Sequence, residues 1–179
     1  MRRSDTTKFK YYDSIHTVVS SAVIRVTRLF AAITVCLLVG WAGLIFTTPV
    51  VRTWYTALVG PALFLPTWLF NPAWMLLFIL MGITLYLVWN KGWSQKNVQE
   101  ATAIFAVQLV LIVIWSYLLF TLQVPFFALI GSVLLWFAIL MTIGAFYRVS
   151  VPAAALLMPC LFWATFAIYF TYNIYLLSP

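Results

Sequence analysis

The sequence predicts an all-α integral membrane protein, a bundle of five transmembrane helices. Three observations carry that prediction. Of the 179 residues, 65% are hydrophobic and only 7% are charged, whereas a soluble domain carries roughly 25% charged residues. Five predominantly apolar stretches can be read at about 29–47, 72–90, 101–120, 126–147 and 153–176, each close to the ~20 residues a helix needs to cross a bilayer. The basic residues, finally, are sorted to one side. Arg2, Arg3, Lys8, Lys10, Arg25 and Arg28 precede the first stretch, and Lys91, Lys96 and Arg148 fall in links on that same side. Arg52 alone lies opposite. This is the positive-inside pattern, with the N-terminus inside and the C-terminus outside. The net charge of +7 is therefore topological and implies no nucleic-acid partner.

Residues 1–28 form a basic N-terminal segment, polar and mobile over 1–14. From Ile15 to Val26 the positions Ile15, Val18, Val19, Ala22, Val23 and Val26 recur at helical spacing. This is either a short interfacial helix or a water-side extension of the first span. A charged region of 28 residues is too long for a signal peptide, and no small-x-small site follows the apolar run, so the first span is expected to be retained. Within it, Gly40 and Gly43 allow a neighbouring backbone to approach closely. Pro49 is expected to end the helix.

Residues 29–179 form the membrane domain, and 48–71 its one long connection. That loop is rich in rings and prolines (Trp54, Tyr55, Pro61, Phe64, Pro66, Trp68, Phe70) and carries one charge. Such a segment needs apolar contact and should fold back as a lid over one end of the bundle. In the second span Trp74, Phe78, Met81, Leu85 and Trp89 share one helical face, a stripe of large side chains that lipid contact does not require. The remaining links are short, as antiparallel neighbours permit.

The spans contain no Asp, Lys, Arg or His, and Glu100 stands only at the threshold of the third. Ion and proton pathways need ionisable groups inside the membrane, so active transport of either is disfavoured. His16 has only Asp13 at ligand spacing, so no metal site is expected. Ser116 and Thr142 are helix hydroxyls able to bond back to their own backbone and have no partner base; no catalytic residue is assigned and no cofactor implied. Cys36 and Cys160 sit in apolar spans as small hydrophobes. What remains inside is aromatic and sparsely polar: Trp74, Tyr86, Gln108, Trp115, Tyr117, Trp136, Trp163, Tyr169, Tyr172 and Asn173. Such an interior suits a flat hydrophobic ligand.

From about Gly43 to Leu177 the order of short motifs resembles the TspO/translocator protein family, whose members are also called tryptophan-rich sensory proteins. The motifs are Phe46-Thr47-Thr48-Pro49, Trp54-Tyr55-x-x-Leu58-x-x-Pro61, Pro66-x-Trp68, Pro72-x-Trp74 and Met81-Gly82. Tyr86-Leu87-Val88-Trp89, Gln108-Leu109-x-Leu111, Trp115-Ser116, Leu156-Leu157-x-Pro159, Trp163 and Phe166-Ala167 follow. The resemblance implies a five-helix bundle of the TspO type in the lipid bilayer, often a homodimer, with a cavity closed by the first long loop. It implies a porphyrin-like hydrophobic small molecule as ligand, lined by Trp74, Phe78, Trp115, Trp163 and Ala167 with Trp54 on the lid. A bacterial cytoplasmic membrane fits the basic N-terminus. The function implied is that of a receptor or carrier. Light-dependent porphyrin degradation is one alternative; a regulatory or structural membrane protein with a residual cavity is another.

Four positions depart from the family pattern. Phe78 stands for a tyrosine, Ile112 for an asparagine, Cys160 for a tyrosine and Thr171 for an asparagine. A drier cavity is expected. The cholesterol motif also fails at its family position, because no Lys or Arg follows Tyr172; Leu80, Tyr86 and Lys91 satisfy only the loose pattern.

Overall fold

The computed structural model describes the backbone of residues 3–50 and 67–178, and the side chains of 22–46 and 72–178. All of the regular structure described is helical. The first helix, α1, runs Arg3–Val50 without interruption, so residues 15–26 continue the first span. At 1.5 Å per residue its 48 residues extend about 72 Å, well beyond a hydrocarbon core of ~30 Å. The backbone of 3–14 is helical, and α1 includes Pro49, with Val50 its last described residue. A proline removes one helical hydrogen bond, a loss that membrane helices tolerate where neighbours re-satisfy the freed carbonyl.

Helix α2 spans Thr67–Trp89 and holds Pro72 inside it. Both ends of the expected 48–71 loop are thus helical. Positions 51–66, including Trp54, lie outside the described residues. Helix α3 covers Lys96–Ser116 and continues as a π turn over Tyr117–Thr121, with Leu122 N–H donating to Tyr117 C=O at 3.0 Å. Gln123 then takes φ 52°, the only positive φ at a non-glycine residue among those described, and α4 restarts at Pro125 and runs to Tyr147.

The fifth span is two helices rather than one, α5 at Val151–Leu156 and α6 at Met158–Leu177. Pro159 explains the break, because its ring opposes the carbonyl four residues back and it offers no N–H. The turn stays satisfied: Leu157 C=O accepts from both Cys160 and Leu161 N–H, at 3.0 and 3.1 Å. In all, five helical segments among the described residues are long and apolar enough to cross a membrane.

Around the bundle α1 packs on α2, α2 meets α5, α5 and α6 lie against α4, α4 packs on α3, and α3 with its π turn returns to α1. The ring closes, yet α2 and α3 touch little despite their short link. Glycines set the α1–α2 distance. A Cβ on Gly82 would stand 2.6 Å from Ile33 Cα, so here backbone approaches backbone. At Gly40 the neighbour is a side chain: a Cβ there would lie 2.6 Å from Phe78 Cδ2, so the ring rests on bare helix. The close backbone approach expected at Gly40 is found one helix away, at Gly82.

Candidate functional site

Helix α2 turns Trp74, Phe78, Met81 and Leu85 into the core, while Met75, Leu76 and Ile79 on the opposite side are exposed. The i, i+4, i+7 stripe read from the sequence is therefore the inward face. On α3 the same rule buries Phe105, Gln108, Ile112, Trp115 and Ser116. On α6 it aligns Cys160, Ala164, Ala167, Thr171 and Ile174. These faces, with Leu135 and Ile139 of α4, surround one cavity of about 40 Å³.

Five of the six residues expected at a site lie on that cavity's wall: Trp74, Phe78, Trp115, Trp163 and Ala167. Trp54 is outside the described residues. The wall also includes Leu77, Met81, Gln108, Ile112, Leu135, Ile139, Cys160 and Ala164. The α4 residues carry no motif and could have been found only from the helical face they share. Several polar candidates are not inside. Tyr117, Tyr169 and Tyr172 are exposed on the outer surface, and the Asn173 side chain donates to Tyr169 C=O at 2.7 Å. Trp136 is committed to the Thr165 hydroxyl at 3.0 Å.

The rings form a connected set. Trp74 meets Phe78 edge to face with centroids 5.4 Å apart and lies 6.3 Å from Trp115 at an interplanar angle of 31°. Phe120, from the π turn, closes edge-on against Trp115 at 6.0 Å. Across the wall, Trp163 packs against Phe166 at 5.7 Å. Three of the four departures from the family pattern, Phe78, Ile112 and Cys160, fall on the cavity surface, which makes it nearly all carbon. The fourth, Thr171, is fully buried and accepts a hydrogen bond from Trp115 Nε1–H at 3.3 Å. Thr171 donates its own proton to Ala167 C=O at 2.8 Å.

Gln108 is the one carboxamide on the wall. It is fully buried, its Nε2 donates to Met81 Sδ at 3.4 Å, and its Oε1 has no partner. A thioether is a weak acceptor, and a half-turn of the amide exchanges donor for acceptor. Gln108 can therefore offer either role to a molecule in the cavity. Leaving such a group unsatisfied costs about 1–3 kcal/mol. Thr142 satisfies itself by donating to Ala138 C=O at 2.8 Å, in line with the sequence expectation, but the buried Ser116 hydroxyl has no partner. No charged side chain lines the cavity, and no cluster of metal-ligating groups occurs among the described residues. The arrangement can stack, exclude water and make one or two hydrogen bonds. It offers no acid–base pair.

A model of the TspO/MBR family matches residues 32–177, beginning earlier than the motif resemblance at Gly43. The tryptophan-rich protein TspO of Chlorobaculum tepidum is 43% identical over 155 residues, covering 87% of this chain and 98% of its own. The tryptophan-rich protein TspO of Archaeoglobus fulgidus is 41% identical, covering 86% and 99%. The translocator protein of Bos taurus is 33% identical over 129 residues, covering 72% and 76%.

Proposed function

The chain belongs to the TspO/MBR family and is a multi-pass membrane protein, and from that premise we propose that it is a receptor or carrier for a planar hydrophobic ligand, a porphyrin-like tetrapyrrole. The observation that carries the reading is the convergence of Trp74, Phe78, Trp115 and Trp163 on one apolar cavity beside the unsatisfied amide of Gln108. Aromatic faces supply large contact area and stacking, and a single polar group orients what they hold. Ala167 adds no bulk beyond its methyl to its side of the wall. Trp54 belongs to this reading as a lid residue.

The cavity's size decides how such a ligand would be held. About 40 Å³ accommodates little more than ordered water, whereas sites for drug-sized ligands span about 300–1,000 Å³. Binding then requires wall side chains to move, so affinity is reduced by the fraction of molecules that are open. The same small volume favours a second reading, a regulatory or structural membrane protein whose cavity is residual. Titration of the detergent-solubilised protein with protoporphyrin IX, followed by tryptophan fluorescence, separates the two. The receptor reading expects saturable quenching that weakens on Trp74→Phe or Trp163→Phe. Linear, non-saturating quenching removes it.

The proposed setting is a bacterial cytoplasmic membrane with the N-terminus inside, supported by the nine-to-one distribution of basic residues. Single cysteines placed at Lys91 and at Ser178, labelled from outside with an impermeant maleimide, test it: only the second should react.

A further inference from the structure

Since a ligand fits only if part of the wall moves, the question is which part. Phe78 is seated on Gly40, Trp74 is braced by Phe78, and the α4 residues are aliphatic side chains within a regular helix. Trp115 differs. It stands two residues before α3 gives way to the π turn, a form that clusters at functional sites. Because a π turn holds one residue more than an α turn, moving that bulge along the chain re-aims the side chains beside it. The neighbouring Ser116 hydroxyl is buried without a partner, so the local arrangement leaves a polar group unused. One directed bond ties the Trp115 ring to α6, one turn beyond the wall residue Ala167: its N–H donates to the hydroxyl of Thr171. Thr171 is itself oriented by Ala167 C=O.

We propose that Thr171 is a positioning residue for Trp115: its hydroxyl latches the indole against α6 in the closed state, and the π turn over 117–121 is the hinge on which the ring swings aside, still lining the site, when a ligand is admitted. This rests on the ligand-binding reading above. On this proposal the ring swings aside to enlarge the cavity and turns its face to the ligand, so the latch is broken in the bound state and intact only in the empty protein. Removing the acceptor therefore lowers the cost of opening without disturbing the ligand's own surroundings. Thr171→Val keeps the shape and loses the hydroxyl. It should tighten apparent binding of protoporphyrin IX roughly three- to tenfold, the equivalent of one ordinary hydrogen bond, with the gain in the association rate.

The test is stopped-flow tryptophan quenching by protoporphyrin IX in detergent for the wild type, Thr171→Val and Thr171→Ser. The valine variant should associate faster with an unchanged dissociation rate, and serine should restore wild-type behaviour. A residue that merely supports the fold would weaken binding when replaced. Unchanged or weaker binding by Thr171→Val, or equal tightening by Thr171→Ser, overturns the latch. Indole N–H exchange of Trp115, followed by NMR without ligand, gives a reading independent of porphyrin. It should be slow in the wild type and the serine variant and faster in the valine variant. If neither the wild type nor Thr171→Val saturates with porphyrin, the ligand-binding reading falls, and equal exchange in all three proteins removes the latch as well.

Discussion

Replacing Gln108 by leucine should make the protein more stable. The side chain is fully buried, its Oε1 lacks a partner, and its amide nitrogen reaches only the Met81 sulfur, at 3.4 Å. Leucine is similar in bulk, suits the apolar wall and removes the unsatisfied acceptor. That relieves about 1–3 kcal/mol, partly offset because the weak N–H···S hydrogen bond disappears too, for a net gain of about 1–2 kcal/mol. For a chain of this length each kcal/mol corresponds to about 2–4 °C, so Tm should rise by about 2–8 °C. The assay is thermal unfolding in detergent, followed by circular dichroism, with Gln108→Asn as a control that keeps the amide. A Tm at or below the wild-type value refutes the reasoning, because it would mean the amide oxygen is already satisfied. The same variant should bind protoporphyrin about tenfold more weakly if Gln108 orients the ligand through one hydrogen bond, so stability and binding move in opposite directions.

Gly82→Ala should lower Tm by several degrees, because its Cβ meets the Ile33 backbone at 2.6 Å and overpacking typically costs about 1–3 kcal/mol. Gly144→Ala, with nothing within 4 Å of the new methyl, should be neutral or slightly stabilising by the same thermal assay. Gly40→Ala should drive the Phe78 ring toward the cavity and reduce porphyrin quenching more than it reduces Tm; the reverse order would mean that the ring moves elsewhere. Cys36 and Cys160 are both buried and free, so neither should react with an impermeant maleimide in the folded protein, and both should react after denaturation.

Much of this architecture is legible in the sequence because a bilayer leaves a chain few choices. Apolar length alone locates five spans, and the 3.6-residue period places Trp74, Phe78 and Met81 on the inner face before any neighbour is known. The same period, applied from Trp163, reaches Ala167. Where sequence reasoning and structure part, the cause is local. Tyr117, Tyr169 and Tyr172 look like pocket residues by type, but their helical phase turns them outward, where an amphipathic ring is at ease. Pro159 reads as an ordinary residue of a span, while in the structure it stands at the break between α5 and α6, and Pro72 is held inside α2 without a break. Whether a proline ends a helix depends on what takes up the freed carbonyl, and that is decided by tertiary neighbours. The π turn after Ser116 has no compositional mark at all. Leu135 and Ile139 are indistinguishable from lipid-facing aliphatics until α4 is seen against α3 and α6.

Under the receptor reading, the nearly all-carbon wall around Gln108 also bears on the solvent from which a ligand would arrive. A molecule held there would have to shed its water, and the bilayer is where a flat hydrophobe does so. Occupancy would then follow moles of ligand per mole of lipid rather than its aqueous concentration. Adding empty vesicles at constant protein and ligand should release ligand by dilution in the membrane alone, while the protein's own interactions stay as they were.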